Sequence, residues 1–153
     1  MAIEIERKFL LKENTLPSLE NGTLYVQGYL DESAEKTIRV RIAGTKAFLT
    51  IKGKTTGYTK SEYEYEISVK DAEELLLLCS NEPIRKTRYL IYYGSHRWDV
   101  DVFHEQNEGL VLAEIELESE SETFEIPPWI GKEVTQDFRY YNAYLSGHSY
   151  RSW

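Results

Sequence analysis

A short segment near the start of the sequence carries ionisable side chains at every second position. Glu4, Glu6 and Lys8 are separated and flanked by mostly apolar residues, with Arg7 as the one exception. In a β-strand this spacing places the three charged side chains on one face. Two carboxylates on adjacent positions of that face repel each other unless a cation lies between them. Three sources of that cation are open: solvent salt, a lysine elsewhere in the chain, or a bound metal ion.

Several later segments repeat this one-sided charge. Acidic or basic residues spaced two apart occur as Glu62/Glu64/Glu66, Asp99/Asp101, Glu114/Glu116, Arg39/Arg41 and Lys86/Arg88. An antiparallel sheet with one wet face would explain any single segment. The whole set favours an enclosed surface instead, because like charges are disfavoured as neighbours on a sheet. Arginine in particular suits directed contacts to oxyanions.

The alternation predicts about eight β-strands. They cover residues 2–10, 24–30, 37–42, 46–52, 62–67, 85–93, 97–103 and 110–117. About eight strands of this length readily close into a barrel, whose inner face would then be the charged one. Such an interior is stable only if its acids, its bases and a ligand neutralise one another. A basic wall fits the oxygens of a polyphosphate, and an acidic wall fits a hard cation such as Mg²⁺ or Mn²⁺.

Two helices are expected in addition to these strands. Asp71 is suited to cap the N-terminus of a short helix that ends at Ser80. Apolar residues at helical spacing predict a C-terminal helix from Lys132 to Leu145. Each helix has an apolar side that would pack on the outside of the barrel.

Length and composition limit the class of protein. A chain of 153 residues with 41% apolar residues is expected to form a single domain, residues 1–153. Its net charge of −8 argues against binding nucleic acid or anionic membranes through bulk charge. The early acidic residues argue against a secretory signal, and the longest apolar run, 75–79, is too short to cross a bilayer. Cys79 is the single cysteine, so a cytoplasmic location without disulfides is expected.

Taken together, the charged segments resemble the CYTH superfamily, whose members are also called triphosphate tunnel metalloenzymes. The first segment, Glu4-Ile5-Glu6-Arg7-Lys8, has the family's Glu-x-Glu-x-Lys pattern. The other motifs follow in family order: Arg39-Val40-Arg41, Leu49-Thr50-Ile51-Lys52, Glu62-Tyr63-Glu64, Lys86-Thr87-Arg88-Tyr89, Asp99-Val100-Asp101, Glu114-Ile115-Glu116, Glu133-Val134-Thr135 and Arg139-Tyr140-x-Asn142. This resemblance, which covers essentially the whole chain, implies an α+β fold. An eight-stranded antiparallel β-barrel would form a tunnel, with helices packed on its outside.

The resemblance also implies roles for individual residues. The implied metal ligands are Glu4, Glu6, Glu114 and Glu116. The implied substrate-binding residues are Lys8, Arg39, Arg41, Lys52, Lys86 and Arg88. Catalytic roles are implied for Lys52, Glu62 and Glu64, with Lys52 either a base or a plain phosphate clamp. Asp99 and Asp101 would form a second acidic cluster that orients the basic residues or binds a second metal or water. At Lys60 many relatives carry arginine, and no phosphate contact is assigned there.

The implied activity is that of a small bacterial-type inorganic triphosphatase: metal-dependent hydrolysis of the terminal phosphoanhydride bond of a triphosphate, with Mg²⁺ or Mn²⁺ as cofactor. Inorganic tripolyphosphate is the expected substrate, because the chain has little beyond barrel and helices with which to recognise a large organic group. The same fold would also suit a class IV-type adenylyl cyclase or a nucleoside, thiamine or RNA 5′-triphosphatase. Without catalysis, the charged strands would fit a polyphosphate- or nucleotide-binding module, or a β-domain with wet charged faces. A small-molecule triphosphate is the expected partner, without membrane or nucleic acid, and a homodimer is left open.

Overall fold

The computed structural model describes residues 3–12, 15–33 and 35–153. Within these ranges the chain forms nine β-strands and two α-helices. The strands are β1 (Ile3–Leu11), β2 (Thr23–Glu32), β3 (Lys36–Ala43), β4 (Lys46–Gly53), β5 (Thr59–Ile67), β6 (Ile84–Tyr93), β7 (His96–Phe103), β8 (Val111–Glu116) and β9 (Ile130–Glu133). The helices are α1 (Val69–Leu77) and α2 (Asn142–Gly147). Ala2, the predicted start of the first strand, lies outside the described residues.

Eight of the strands close into a barrel in which every pair of neighbours is antiparallel. Going round the barrel, the order is β1, β5, β4, β3, β2, β6, β7, β8 and back to β1. Closure depends on three residue pairs between β1 and β5, from Ile3–Ser61 to Ile5–Thr59. The predicted eight-stranded antiparallel barrel is therefore confirmed, and each predicted strand overlaps an observed one.

The barrel wall separates an apolar outside from a charged inside, because successive residues of a strand point to opposite faces. Strand β7 shows the pattern clearly. Trp98 and Val100 belong to a buried apolar cluster outside the barrel, where Trp129 from the segment after β8 covers them. Asp101, between Val100 and the next apolar residue, is completely buried on the inner face. The strands thus present their charged residues to a common interior.

Helix α1 covers the outside of β2, β3 and β4, where Ala72 packs with Val40 and Ala47. Its N-cap is Ser68, whose hydroxyl accepts a hydrogen bond from the backbone N–H of Asp71 at 3.0 Å. The prediction of Asp71 as the cap was wrong, because Asp71 already lies in the first helical turn. A carboxylate in that turn still interacts favourably with the helix dipole.

The predicted C-terminal helix, residues 132–145, is found only in part. Its first residues belong to β9, and the backbone N–H of Val134 donates to the carbonyl of Lys8 at 2.8 Å. These pairings with β1 outweigh the local helical spacing, as tertiary contacts often do. A six-residue helix, α2, follows, and its Leu145 packs with Val134 in an apolar cluster at the barrel. None of the helices in the described ranges is long and apolar enough to span a membrane.

One edge of β1 changes its partner from β5 to β9 part-way along the strand. Between these two ladders, the backbone N–H of Glu6 donates to the carbonyl of Tyr58 at 3.3 Å. The next inward residue, Lys8, donates its backbone N–H to the hydroxyl of Thr135 at 3.0 Å. We call this stretch of β1, residues 6–8, the seam. It is the part of the barrel wall where a side chain replaces a strand as hydrogen-bond partner.

Candidate active site

The barrel encloses a cavity of about 600 Å³. Its lining is strongly basic for a protein of net charge −8. Nine lysine and arginine residues line it: Lys8, Lys36, Arg39, Arg41, Lys52, Lys54, Lys60, Lys86 and Arg88. The acidic residues that line it are Glu6, Glu32 and Glu114. All six predicted substrate-binding residues are among the nine, so the structure brings that set together in one place.

Asp101 is the buried counter-ion for two of these basic residues. Both of its carboxylate oxygens accept hydrogen bonds from Arg88, at 2.7 and 2.8 Å. The Lys86 ammonium lies 2.7 Å from the same carboxylate, and both side chains are fully buried. Burial alone would raise the pKa of Asp101, but attraction to Arg88 and Lys86 lowers it to about 2. Asp99, its neighbour in the second acidic cluster, lies 3.5 Å from Arg88 and lies less deeply in the barrel.

The two predicted catalytic glutamates of β5 lie beside basic residues of the cavity. Glu62 lies 3.4 Å from the Lys52 ammonium. Glu64 accepts a hydrogen bond from Thr50 at 3.1 Å and lies 3.8 Å from Arg39. Neither glutamate lines the cavity itself. This geometry makes both carboxylates suited to hold Lys52 and Arg39 in place.

Lys52 is paired with two glutamates, Glu4 and Glu62. Its ammonium donates to both oxygens of Glu4, at 2.9 and 3.1 Å. Burial and the nearby Arg39 would lower the pKa of Lys52, but attraction to its glutamate neighbours raises it overall. A lysine with a raised pKa stays protonated at neutral pH. This favours the phosphate clamp over the base for Lys52.

Arg41 and Lys60 differ from the other basic residues, because neither makes an ion pair with a carboxylate of the described residues. Arg41 donates its Nε to Gln27 at 2.8 Å, and its guanidinium lies 4.8 Å from the ring centre of Tyr25. Burial and repulsion from neighbouring arginines lower the pKa of Arg41 to about 9. The Lys60 ammonium lies 5.4 Å from the ring centre of Tyr141, and burial and Lys52 lower its pKa. An anionic ligand would offset the repulsion that Arg41 and Lys60 experience from neighbouring cations.

The four predicted metal ligands lie on β1 and β8, and two of them have cationic partners. Glu4 contacts Lys52 as described, and Glu114 lies 3.6 Å from the Lys8 ammonium. Glu6 is paired in register with Glu116 across the two strands, and Glu116 is exposed. Burial and repulsion from Glu114 and Glu4 raise the pKa of Glu6 to about 8. The corner around Glu6 is therefore short of positive charge.

These residues fit a hard divalent cation by their chemistry. Carboxylate oxygens are the ligands that Mg²⁺ and Mn²⁺ prefer, and a cation beside Glu6 would offset its repulsion from Glu4 and Glu114. Over the described ranges, no three acidic, histidine or cysteine side chains are already gathered as a metal site. Glu4 would have to exchange Lys52 for the ion. The carboxylates that could bind a metal ion are present, and two of them, Glu4 and Glu114, are placed by their ion pairs with Lys52 and Lys8.

Sequence and structure comparisons place the chain among known proteins. The profile of the CYTH domain matches residues 2–145. The chain belongs to the CYTH family. It is 46% identical over 153 residues to a protein of Acetivibrio thermocellus named inorganic triphosphatase, covering 99% of this chain and 98% of that protein. A second inorganic triphosphatase, from Nitrosomonas europaea, is 37% identical over 148 residues, covering 94% and 96%. The crystal structure of the inorganic triphosphatase NE1496 has a TM-score of 0.67 at 35% identity and covers 95% of each chain.

A hydrogen-bonded group at the base of this CYTH cavity was not predicted. Gln27 accepts from Arg41 and donates to the side-chain carbonyl of Asn142 at 3.0 Å. The same carbonyl accepts from Lys86 at 3.0 Å. Asn142, at the start of α2, thus links the C-terminal segment to two cavity cations. The sequence contained a signal for both residues. Asn142 ends the last family motif, and Gln27 lies between Tyr25 and Tyr29 at the every-second-residue spacing of one strand face.

We expect the free energy of unfolding of this CYTH domain to fall as the pH drops from about 4 to about 2. The pKa values of Glu4 and Asp101 are lowered to about 2 by their cationic partners against the effect of burial. A carboxylate with a lowered pKa stabilises the fold above its unfolded value, and this contribution is lost as the pH falls through the folded value. Asp101 should contribute about 2 kcal/mol and Glu4 about 3 kcal/mol. Urea denaturation at a series of pH values measures the change.

The Glu4→Gln variant is the control for this pH dependence. It keeps the shape of the side chain but has no carboxylate to titrate, so its stability should change less between pH 4 and pH 2 than that of the wild type. Equal slopes in the two proteins would contradict the assignment.

Proposed function

We propose that this protein hydrolyses the terminal phosphoanhydride bond of inorganic tripolyphosphate, with Mg²⁺ or Mn²⁺ bound. One observation carries the proposal: the cavity of about 600 Å³ lined by nine basic residues. Its volume lies within the range of about 300–1,000 Å³ typical of small-ligand sites. A triphosphate supplies several negative charges in a short chain, which is the charge that this lining lacks. The names of the relatives with 46% and 37% identity support the same substrate.

The basic residues would act by binding and orienting the phosphates. Arg41 and Lys60 have no carboxylate partner among the described residues, so contact with phosphate oxygens would stabilise their charges most. Arg88 and Lys86 are held by Asp101, so their donors are fixed before the substrate arrives. Preorganised cations of this kind stabilise the charge of a transferring phosphoryl group without rearranging during the reaction. We assign Glu62 and Glu64 the role of holding Lys52 and Arg39.

The metal part of the proposal depends on the corner around Glu6. Glu6 and Glu114, with Glu4 and Glu116, would hold the ion, which would supply Lewis-acid neutralisation of phosphate oxygens. Burial would raise the pKa of Glu114, but Lys8, Arg88 and Lys86 together hold it well below its usual range. Glu114 therefore stays ionised beside Lys8 and is available to a cation at neutral pH. We also propose that the enzyme works in the cytoplasm, since its single cysteine, Cys79, suits a reducing compartment.

A second candidate substrate is an organic triphosphate, and one feature favours it. The lining of the cavity includes Phe138, Tyr144 and His148 from the C-terminal segment. The rings of Tyr144 and His148 are stacked with their centres 4.0 Å apart, and Phe138 meets Tyr144 edge to face. Such a surface could contact the ring of a nucleoside or of thiamine.

We expect the purified protein to release phosphate from tripolyphosphate when Mg²⁺ or Mn²⁺ is present and to lose this activity in EDTA. The assay includes ATP, thiamine triphosphate and pyrophosphate, and measures phosphate, pyrophosphate and cyclic AMP. Absence of turnover of all four compounds with either metal would refute the enzyme proposal. Cyclic AMP and pyrophosphate from ATP would show a cyclase instead, and full activity in EDTA would remove the metal.

Ligand binding alone is tested by the stability of the protein. Tripolyphosphate at 100 times its dissociation constant should add about 2.7 kcal/mol to the free energy of unfolding. The Arg41→Met variant should lose most of this gain, because it removes an unpaired cation of the cavity. The Arg85→Met variant is the matched control, since Arg85 does not line the cavity and pairs with Glu105 at 3.5 Å.

A further inference from the structure

Arg7 belongs to the segment Glu4-Ile5-Glu6-Arg7-Lys8, whose other charged residues point into the barrel, but its own side chain lies on the outside. It lies between Glu6 and Lys8, so alternation directs it to the opposite face. Its guanidinium donates to both oxygens of Glu133, from Nε at 2.8 Å and from Nη2 at 2.6 Å. It also lies 5.2 Å from the ring centre of Tyr58 and 5.1 Å from that of Phe124. Arg7 therefore joins the two elements that flank the seam: the loop before β5 and the end of β9.

The contact continues from Glu133 into the barrel wall. The hydroxyl of Thr135 donates to Glu133 at 2.5 Å and accepts from the backbone N–H of Lys8 at 3.0 Å. One buried hydroxyl thus connects the carboxylate held by Arg7 to the backbone of a cavity lysine. At this point of β1 a side chain, not a neighbouring strand of the described residues, accepts the hydrogen bond of the Lys8 N–H. The Lys8 carbonyl accepts from Val134 at 2.8 Å, and the Lys8 ammonium donates to the carbonyl of Tyr140 at 3.2 Å. Thr135 is therefore one of the contacts from the C-terminal segment that fix the position of Lys8.

A second branch reaches the cavity through Tyr141. Its hydroxyl donates to the carbonyl of Thr135 at 2.9 Å. Its ring centre lies 5.4 Å from the ammonium of Lys8 and 5.4 Å from that of Lys60. The face of one aromatic ring thus lies near two cations that repel each other, which is a favourable electrostatic arrangement for both. A shift of the Thr135 carbonyl would therefore disturb this ring and its contacts with both ammonium groups.

We propose that Arg7 is a positioning residue of the active site: through Glu133 and Thr135 it sets the places of Lys8 and Tyr141, and through Tyr58 it holds the loop at the cavity mouth. Tyr58 itself lines the cavity. This inference rests on the proposed function, because it concerns the placement of phosphate-binding groups. A guanidinium fork is required, since lysine can make neither the paired contact to Glu133 nor the flat contacts to the rings.

The competing explanation is that Arg7 and Glu133 are only a surface ion pair. Their side chains are 24% and 31% exposed, and pairs of this kind add little to stability. A surface pair predicts a small loss of stability in an Arg7→Lys variant and no change in substrate affinity. The positioning role predicts a loss of affinity that exceeds any loss of stability.

The test compares Arg7→Lys and Glu133→Gln with the wild type and with Arg85→Lys. Arg85 is a matched control, because it also lies on the outer face of a barrel strand and pairs with a glutamate. Affinity for tripolyphosphate is measured by calorimetry in EDTA, and KM and kcat are measured with Mg²⁺. We expect Arg7→Lys and Glu133→Gln to weaken affinity and raise KM by about tenfold, as when binding groups remain but are misplaced. Arg85→Lys should stay within about twofold of the wild type.

Two further variants keep the test decisive if Arg7→Lys unfolds. Thr135→Ser keeps the hydroxyl and should retain affinity, whereas Thr135→Val removes it and should bind tripolyphosphate about tenfold more weakly. In the double variant Arg7→Lys/Thr135→Val, the losses should be less than additive, because both act along one path. Normal affinity and KM in Arg7→Lys and in Thr135→Val would overturn the inference while leaving the proposed function intact. If the wild type neither binds nor hydrolyses tripolyphosphate, the proposed function fails, and this inference fails with it.

Discussion

Replacing Asp101 by asparagine should lower the free energy of unfolding by about 3–5 kcal/mol, the loss expected when one partner of a buried ion pair is removed. The carboxylate is fully buried and receives two hydrogen bonds from Arg88 and one contact from Lys86. Asparagine would leave both cations buried, close together and without a counter-ion. Urea denaturation at pH 7 measures the loss.

Asp99→Asn is the matched control for this prediction. Asp99 precedes Asp101 by one inward position on β7, but its side chain is 18% exposed. Its shorter contact, at 3.1 Å, is with Arg97, which is 48% exposed, and Arg88 lies farther away at 3.5 Å. A pair so close to solvent should contribute about 1 kcal/mol or less. Tripolyphosphate should restore more stability to Asp101→Asn than to Asp99→Asn, because its phosphates can replace the missing charge beside Arg88. Equal destabilisation by the two variants would show that Asp101 is not the central counter-ion.

Replacing Glu6 by glutamine should change stability and activity in opposite directions. Burial and its acidic neighbours raise the pKa of Glu6 to about 8, so the fold disfavours the ionised form. Neutral Glu6 therefore contributes its full share of stability at pH values below the pKa of this side chain in the unfolded chain. That share is lost as the pH rises through about 8, where Glu6 becomes ionised in the folded protein. Glutamine is never ionised. At pH 8 without metal, the variant should be more stable than the wild type by about 4 kcal/mol, and the difference should vanish near pH 4.

The same variant should lose metal-dependent turnover of tripolyphosphate, by about 100-fold or more, because an electrostatic contact near the reacting phosphate is removed. Glu114→Gln is the control with the opposite sign. Its pKa is held low by Lys8 and the nearby cations, so its removal should destabilise the protein at pH 8. A Glu6→Gln variant that is less stable than the wild type at pH 8, or that keeps full turnover with Mg²⁺, would contradict the assignment of Glu6.

The strands were predictable because their interior is charged. In most sheets one face is apolar and the other carries a mixture of polar residues. Here pairs of like charge, such as Arg39 and Arg41, distinguish the inner face by the sign of its charge as well as by its polarity. That is a local, period-two signal, and it marked most of the barrel strands. The strand at 24–30, which carries Tyr25, Gln27 and Tyr29, was located by polar alternation without charge. The ninth strand gave no such signal. Glu133 meets Arg7 across 126 residues of sequence, and helical spacing after Lys132 was the only local pattern available.

The residue types of the site were predictable, but their pairing was not. Lys52 is in register with Glu62, yet its shorter contacts are with Glu4 on another strand. Which acid meets which base depends on how far the strands are staggered when the barrel closes, and no single segment encodes that stagger. The amide residues Gln27 and Asn142 were missed for a related reason. A neutral side chain stands out only when its buried hydrogen-bond partners are known.

The triple pairing of β1 has a consequence for how the molecule is made. The first strand needs β5 for one part of its edge, β8 along its other edge and β9 for the remainder. On the ribosome, these partners emerge in the order β5, β8 and β9, so the barrel cannot close until β8 has been synthesised, and the last part of the β1 edge stays uncovered until β9 follows. Pairings between such distant segments also slow folding, because chain entropy is lost before the contacts form. Until β8 is available, the edge of β1 that pairs with it must stay open.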